Sequence, residues 1–189
     1  MFGDLSKIGD TNTQLSFVAA ALTVELMMLM IFRLTKTPLA AEQINKWYDV
    51  YKLDAILLDT LSIVIGFIIA SFLYPFFFSE FNLGFFLLVM LGVQITHDYL
   101  FWRYVIVPIP KGHNQVIDTM KIYAERSKGG AIIGDSIMYL MGVPIASILL
   151  YLANSRGKGG VSLLLGVSVF ALYPIMYLLY TKPIKNFGR

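Results

Sequence analysis

The 189-residue sequence contains no cysteine. Structural disulfides, thiol nucleophiles, iron–sulfur clusters and cysteine-ligated zinc are therefore excluded together. Histidine is nearly as scarce, with two residues, so no histidine-rich box of the membrane di-iron kind is present. Charge is scarce too: charged residues make up 14% of the chain against ~25% in soluble domains. Hydrophobic residues reach 57% and the mean hydropathy is +0.70. A water-soluble chain of this size has too little interior to hide that much apolar surface. Disorder, a collagen helix and a coiled coil fail on the same numbers. The net charge of +3 is too small to indicate a nucleic-acid partner. In a membrane protein, such a basic excess reflects orientation and contact with anionic lipid. The composition is that of an integral membrane protein whose first partner is the bilayer.

A membrane span needs about 20 mostly apolar residues. Five stretches qualify, at about 15–32, 55–78, 83–107, 131–152 and 161–180. The fold class read from them is all-α, one transmembrane domain over 1–189. The short break at 79–82 makes the second and third spans a tight hairpin, and Gly157, Gly159 and Gly160 mark a similar turn between the last two. The first span reads as retained rather than as a cleaved signal. Asp4 and Asp10 outnumber Lys7 ahead of it, and no small-residue cleavage pattern follows. Of the 15 basic residues, 12 fall in one set of connecting segments and only Lys7, Arg156 and Lys158 in the other. By the positive-inside rule the N-terminus is outside or lumenal and the C-terminus cytoplasmic.

Two cytoplasmic connections have structure of their own. After Thr37-Pro38, a favourable helix start, Ala40, Ala41, Ile44, Trp47, Tyr48 and Tyr51 recur at helical spacing, with Glu42, Gln43, Asn45, Lys46, Asp49 and Lys52 opposite. This predicts an interfacial amphipathic helix with Trp47, Tyr48 and Tyr51 at headgroup level. The second connection opens with Pro108-Ile109-Pro110-Lys111-Gly112, which stops a helix. Asn114 then caps a helix from Gln115 to about Ser127, along which Asp118–Lys121 and Lys121–Glu125 are spaced to pair. Trp47, Tyr48, Tyr51, Lys111, Asn114 and Lys121 are the candidate partner-contacting or lipid-contacting surface.

An ionisable side chain within a span costs ~2.5–3.5 kcal/mol or more and is a functional hypothesis by default. Glu25 lies near the middle of the first span and Asp59 one turn inside the second. Gln94, His97 and Asp98 form a stripe on the third, Arg103 follows, and Asp135 lies one turn inside the fourth. Two readings stand. The residues form a proton or cation path with His97 as a titrating member, or they make interhelical hydrogen bonds and an Asp–Arg pair that fix the packing. Glu25 either carries a proton or faces a partner subunit. His97 with Asp98 falls short of a metal site, which wants at least three ligands; His113 lies apart in the Pro/Gly loop. No cofactor is indicated. Gly130 and Gly134, continued by Gly142 and Ala146, give the fourth span a small face, as Ser162 and Gly166 do the fifth. Packing within the bundle accounts for these, and a homo-oligomer is compatible with them. Pro144 and Pro174 predict kinks. Gly157-Lys158-Gly159-Gly160 lacks the phosphate-loop spacing, no nucleophile elbow is present, and no enzymatic role is expected.

The stretch His97-Asp98-x-x-Phe101, Pro108-x-Pro110-Lys111-Gly112-x-Asn114, Asp118-x-x-Lys121-x-Tyr123-Ala124 and Ala131-x-x-x-Asp135-Ser136 resembles a pattern in small polytopic membrane proteins of nucleocytoplasmic large DNA viruses. It covers about 40 of the 189 residues. The resemblance implies a protein of the membrane beneath an icosahedral capsid, a membrane-anchored minor capsid component located in host internal membrane and then in the virion. Capsid or other membrane proteins would be its partners. The first expectation is thus a structural membrane protein. The alternative is a small proton or cation channel or transporter using Glu25, Asp59, His97, Asp98 and Asp135. A lipid-directed enzyme with His97 and Asp98 as base comes third and has no motif behind it.

Overall fold

The computed structural model describes residues 2–35, 41–127 and 130–184. All regular structure among them is helical: α1 Thr11–Leu34, α2 Ala41–Tyr51, α3 Leu53–Phe77, α4 Leu83–Phe101, α5 Gln115–Ser127, α6 Gly130–Ser155 and α7 Gly160–Leu178. A π-helical turn, Trp102–Ile106, extends α4, and a 3₁₀ turn, Gly157–Gly159, precedes α7. Five helices are long and apolar enough to cross a bilayer: α1, α3, α4 with its π turn, α6 and α7. The chain is a multi-pass membrane protein. The expected start of α2 at Thr37-Pro38 and Ala40, and the basic residues Lys36, Lys128, Lys185 and Arg189, lie outside the described residues.

Helix α1 is the axis of the bundle. About 61% of its apolar stretch is buried within the protein, against 17% for the α4 and α7 spans. It packs against α7, α6, α3 and α2, while α4 leans on α3 and α6. Alanines at 19, 20 and 21 are fully buried, and such small side chains let neighbouring helices come close. Phe17 stacks on Phe67 at 4.7 Å, and Tyr139 meets Phe67 edge-on. Gly66 is required here, because a Cβ would collide with the Tyr139 hydroxyl, which donates to the Ser62 carbonyl at 3.2 Å. On the expected small faces, Gly142 and Ala146 are buried against neighbours, whereas a Cβ at Gly134 or Gly166 would meet nothing. Pro144 and Pro174 lie inside continuous helices.

The turn at 78–82 is closed by Tyr74 and Asn82. The Asn82 side chain caps α4 by accepting from Gly84 N and Phe85 N, and the Asn82 backbone N–H donates to the Tyr74 hydroxyl. At the same end the N-terminal segment folds into the bundle. Gly3 N donates to Ser147 O at 2.9 Å, Ser147 Oγ returns a bond to Gly3 O at 2.7 Å, and Ser71 Oγ donates to Leu5 O at 2.8 Å. Leu5 is fully buried. A side chain at position 3 would run into Leu150 and the Tyr151 backbone at 2.7–2.9 Å.

Candidate functional site

The opposite end of the bundle carries α2, α5 and the segment at 107–114. This is where the sequence-predicted residues gather. Arg33, in the last turn of α1, is fully buried. Its guanidinium donates to Asn45 Oδ1 at 2.8 Å and to Asp49 Oδ1 at 2.7 Å, both on α2. A guanidinium presents several donors in a fixed fork, so one side chain holds two turns of the neighbouring helix. By sequence Arg33 counts among the 12 basic residues of the connecting segments. Its position at the boundary of an apolar run fits both roles, and only the spacing of Asn45 and Asp49, four apart on the face taken as polar, pointed to the second.

The aromatic face of α2 departs from the expectation. Trp47, Tyr48 and Tyr51 were placed at lipid headgroup level, but they turn inward to protein groups. Tyr48 is 3% exposed and its hydroxyl donates to Glu25 Oε2 at 3.1 Å. Trp47 Nε1 donates to Asp59 Oδ2 at 3.0 Å. Tyr51 packs tilted against Trp47 and donates to the Gln115 carbonyl at 2.8 Å, with Thr119 Oγ1 at 2.7 Å. The physical reason is the set of acids beneath: amphipathic aromatics with polar tips satisfy buried acceptors as well as they satisfy a lipid interface. Burial, and then the negative charges of Glu25 and Asp59, push the Tyr48 hydroxyl well above the usual tyrosine value, against a smaller opposing pull from Arg33. Tyr123 on α5 is pushed up to about 12, chiefly by burial and then by Asp135 and Asp59. On the outer face of α2, the hydrogen bond from Lys46 and its positive charge hold the Glu42 carboxyl below its ordinary value.

Four of the predicted in-span residues fall in two groups: Glu25 and Asp59 accept from adjacent residues of α2, while Asp98 and Ser136, the neighbour of Asp135, meet at Gln94. Gln94 is 2% exposed and links α4 to α6, donating to Asp98 Oδ2 while accepting from Ser136 Oγ at 2.9 Å. His97 Nδ1 lies 3.3 Å from Asp98 Oδ1. Its ring stacks on Phe101 and faces an apolar groove of about 1010 Å³ between α3 and α4, lined also by Ile69, Leu88 and Tyr104. Arg103 joins neither group. It is exposed in the π turn and makes no salt bridge among the described residues. The expected Asp–Arg pair fails because five residues along a helix turn a side chain to the far face.

The remaining surface residues fall on the loop and α5. Asn114 caps α5 as expected, accepting from Ile117 N at 3.1 Å. Lys121 pairs with neither Asp118 nor Glu125; its ammonium donates to the Ile109 carbonyl, while Asp118 Oδ2 accepts from Gly112 N at 2.8 Å. The carbonyls exposed by the Pro108–Pro110 break compete better for Lys121 than a solvated carboxylate does. Lys111 is exposed. Lys52, also missed, ties the start of α3 to the end of α7 through the Leu179 carbonyl at 2.9 Å and the Tyr180 ring. Among the described residues no group of three or more His, Asp or Glu is placed to hold a metal ion. No family model matches the chain, and neither a curated protein nor a solved structure matches it significantly.

Proposed function

We propose that the protein is a structural membrane protein that anchors a protein shell to a bilayer through the end bearing α2, α5 and the loop at 107–114. The observation that carries this reading is the docking of α2. Two membrane-embedded acids accept from its aromatic side chains, and a buried arginine grips its polar face. Interhelical hydrogen bonds of this kind order a bundle, and here they make a fixed platform of a segment that would otherwise float on the surface. Lys46, Arg103, Lys111 and Arg126 are exposed at this end, where the charge distribution puts the cytoplasm. Virion membranes taken from host internal membrane would turn that leaflet towards the capsid, and the resemblance of residues 97–136 to viral membrane proteins supports this setting. The partner is then a capsid protein, and the role is mechanical rather than enzymatic.

Fractionation of particles from the source tests it. The expected result is this chain at high, fixed copy number beside capsid protein after detergent removal of lipid, with Lys111→Glu lowering its incorporation while membrane insertion is unchanged. Recovery in ordinary cell membranes and absence from particles would sink the reading.

A further inference from the structure

The groove between α3 and α4 is built from helix ridges. Leu88, Gly92, Thr96, Leu100 and Tyr104 form one row along α4 and its π turn at i+4 spacing, and His97 stands in the row beside it. Ile69, Leu73 and Phe77 form the facing row of α3. Side chains four apart make the ridges and grooves into which another helix packs. From Leu88 to Tyr104 this wall runs about 24 Å at ~1.5 Å per residue. One leaflet of a ~30 Å hydrocarbon core is ~15 Å deep, so the groove outruns a lipid chain of either leaflet and suits a spanning helix.

The walls are also open. Leu88 is 64% exposed, Phe77 68% and Tyr104 71%. At ~150–250 Å² for a large side chain, the lining residues leave roughly 1000 Å² uncovered, against the ~800 Å² per partner of a stable interface. Gly92 is exposed and a Cβ there would meet nothing, so a second backbone can come close to it.

Two polar groups inside the groove fix what that helix must bring. Thr96 and His97 lie near the middle of the Leu83–Ile106 span, where lipid offers only hydrocarbon. The His97 ring is held by Asp98 Oδ1, 3.3 Å from Nδ1, and by the stacked Phe101 ring, and its side chain is 42% exposed. With Nδ1–H turned to that carboxylate, the neutral imidazole keeps Nε2 as an acceptor. The side-chain hydrogen bonds of this stretch run through Gln94, His97 Nδ1 and Asp98. Among the described residues, His97 Nε2 and the exposed Thr96 hydroxyl take no part in them. A second copy necessarily carries the matching pair at this depth. Every copy inserts with the same orientation, and a two-fold axis along the membrane normal brings equal depths together.

We propose that this groove is the seam of a parallel homodimer, with α4 packing on α4 about a two-fold axis beside Gly92 and Thr96. The Thr96 hydroxyl of each copy donates to Nε2 of the partner's His97, so two reciprocal hydrogen bonds form at mid-membrane. Asp98 and Phe101 aim the imidazole. The seam shares no residue with α2 or α5 and does not rest on the anchoring role.

The chain has no cysteine, so single cysteines can report the seam in the full-length protein. Gly92→Cys and Leu100→Cys, oxidised in dilute phosphatidylcholine vesicles, should cross-link to dimers, since a disulfide needs Cα atoms within about 7 Å. Phe170→Cys, 80% exposed on α7, should not. Energy transfer between labelled copies then gives the dimer fraction at a fixed protein-to-lipid ratio. Thr96→Val and His97→Phe should each lower the association constant about tenfold, and the double variant little further, because both remove the same bonds. Gly92→Leu should abolish pairing although it fills only open space within one copy, whereas Gly166→Leu, equally open on α7, should leave pairing intact. Copies that stay monomeric at every protein-to-lipid ratio would overturn the proposal, as would cross-linking through Phe170→Cys in place of Gly92→Cys. A monomer that holds phospholipid tightly in native mass spectrometry would overturn it too, by assigning the groove to lipid.

Discussion

At one end of the bundle Gly3, Leu5, Ser71 and Ser147 close the structure with backbone groups and hydroxyls. At the other, Arg33, Asn45, Asp49, Trp47 and Tyr48 close it with charge and aromatic side chains. Both solve the same problem, which is how to cover the polar ends of helices where a bilayer gives way to water. None of the four residues named at the first end titrates. The second is built almost entirely from groups whose strength depends on charge state. One end of this molecule is therefore set by shape, and the other by chemistry that conditions can alter.

The largest test of that contrast removes both partners of Arg33. Asn45→Ala combined with Asp49→Ala leaves a buried guanidinium uncompensated, a change that costs about 3–5 kcal/mol. Thermal unfolding in detergent should fall accordingly, and α2 should become open to proteolysis while Gly3 stays seated. Equal loosening of both ends would break the comparison. Next, Gly3→Val forces a side chain against Leu150 and the Tyr151 backbone, an overpacking worth about 1–3 kcal/mol. A fluorophore at Lys7, whose side chain is 73% exposed, should report release of the N-terminal segment, with α2 unaffected.

The smallest effect concerns pH. Because the Tyr48 hydroxyl is held well above the ordinary tyrosine value, its contribution is fully present below pH about 10 and is lost as pH rises through the raised value. The emission of Trp47, read in a Trp102→Phe background, should change over that alkaline range. Tyr48→Phe should lack that component, having already lost about 1 kcal/mol with the hydrogen bond to Glu25. The Lys7 fluorophore should not respond, since no group seating the first residues titrates there. An identical alkaline transition in Tyr48→Phe would assign the change to another group.

Hydropathy made the five spans legible because bilayer thickness imposes length and apolarity on every one of them. The α5 boundaries were legible because Asn114 and the preceding prolines are local signals acting within a turn or two. The inward turn of α2 was not. Aromatic residues at helical spacing look the same whether they meet lipid headgroups or buried acids, and what decides is the position of Glu25 and Asp59 on other helices. The grouping of the in-span acids was half legible. Asp59, Asp98 and Asp135 share a depth that the topology gives away, whereas the exclusion of Arg103 depends on helix rotation and the π turn after Phe101.

The seating of Gly3 on Ser147 also sets a schedule. The two residues are 144 positions apart, and at ~5–20 residues per second the ribosome takes roughly 7–30 s to travel between them. Throughout that interval the Gly3 carbonyl lacks its partner, whereas Ser71, which bonds the Leu5 carbonyl, is made 66 positions after Leu5. Threading of the first residues between α3 and α6 is thus a closing event of biogenesis, available only once the fourth span has been delivered. Until then an accessible N-terminal segment marks a chain that has not finished assembling.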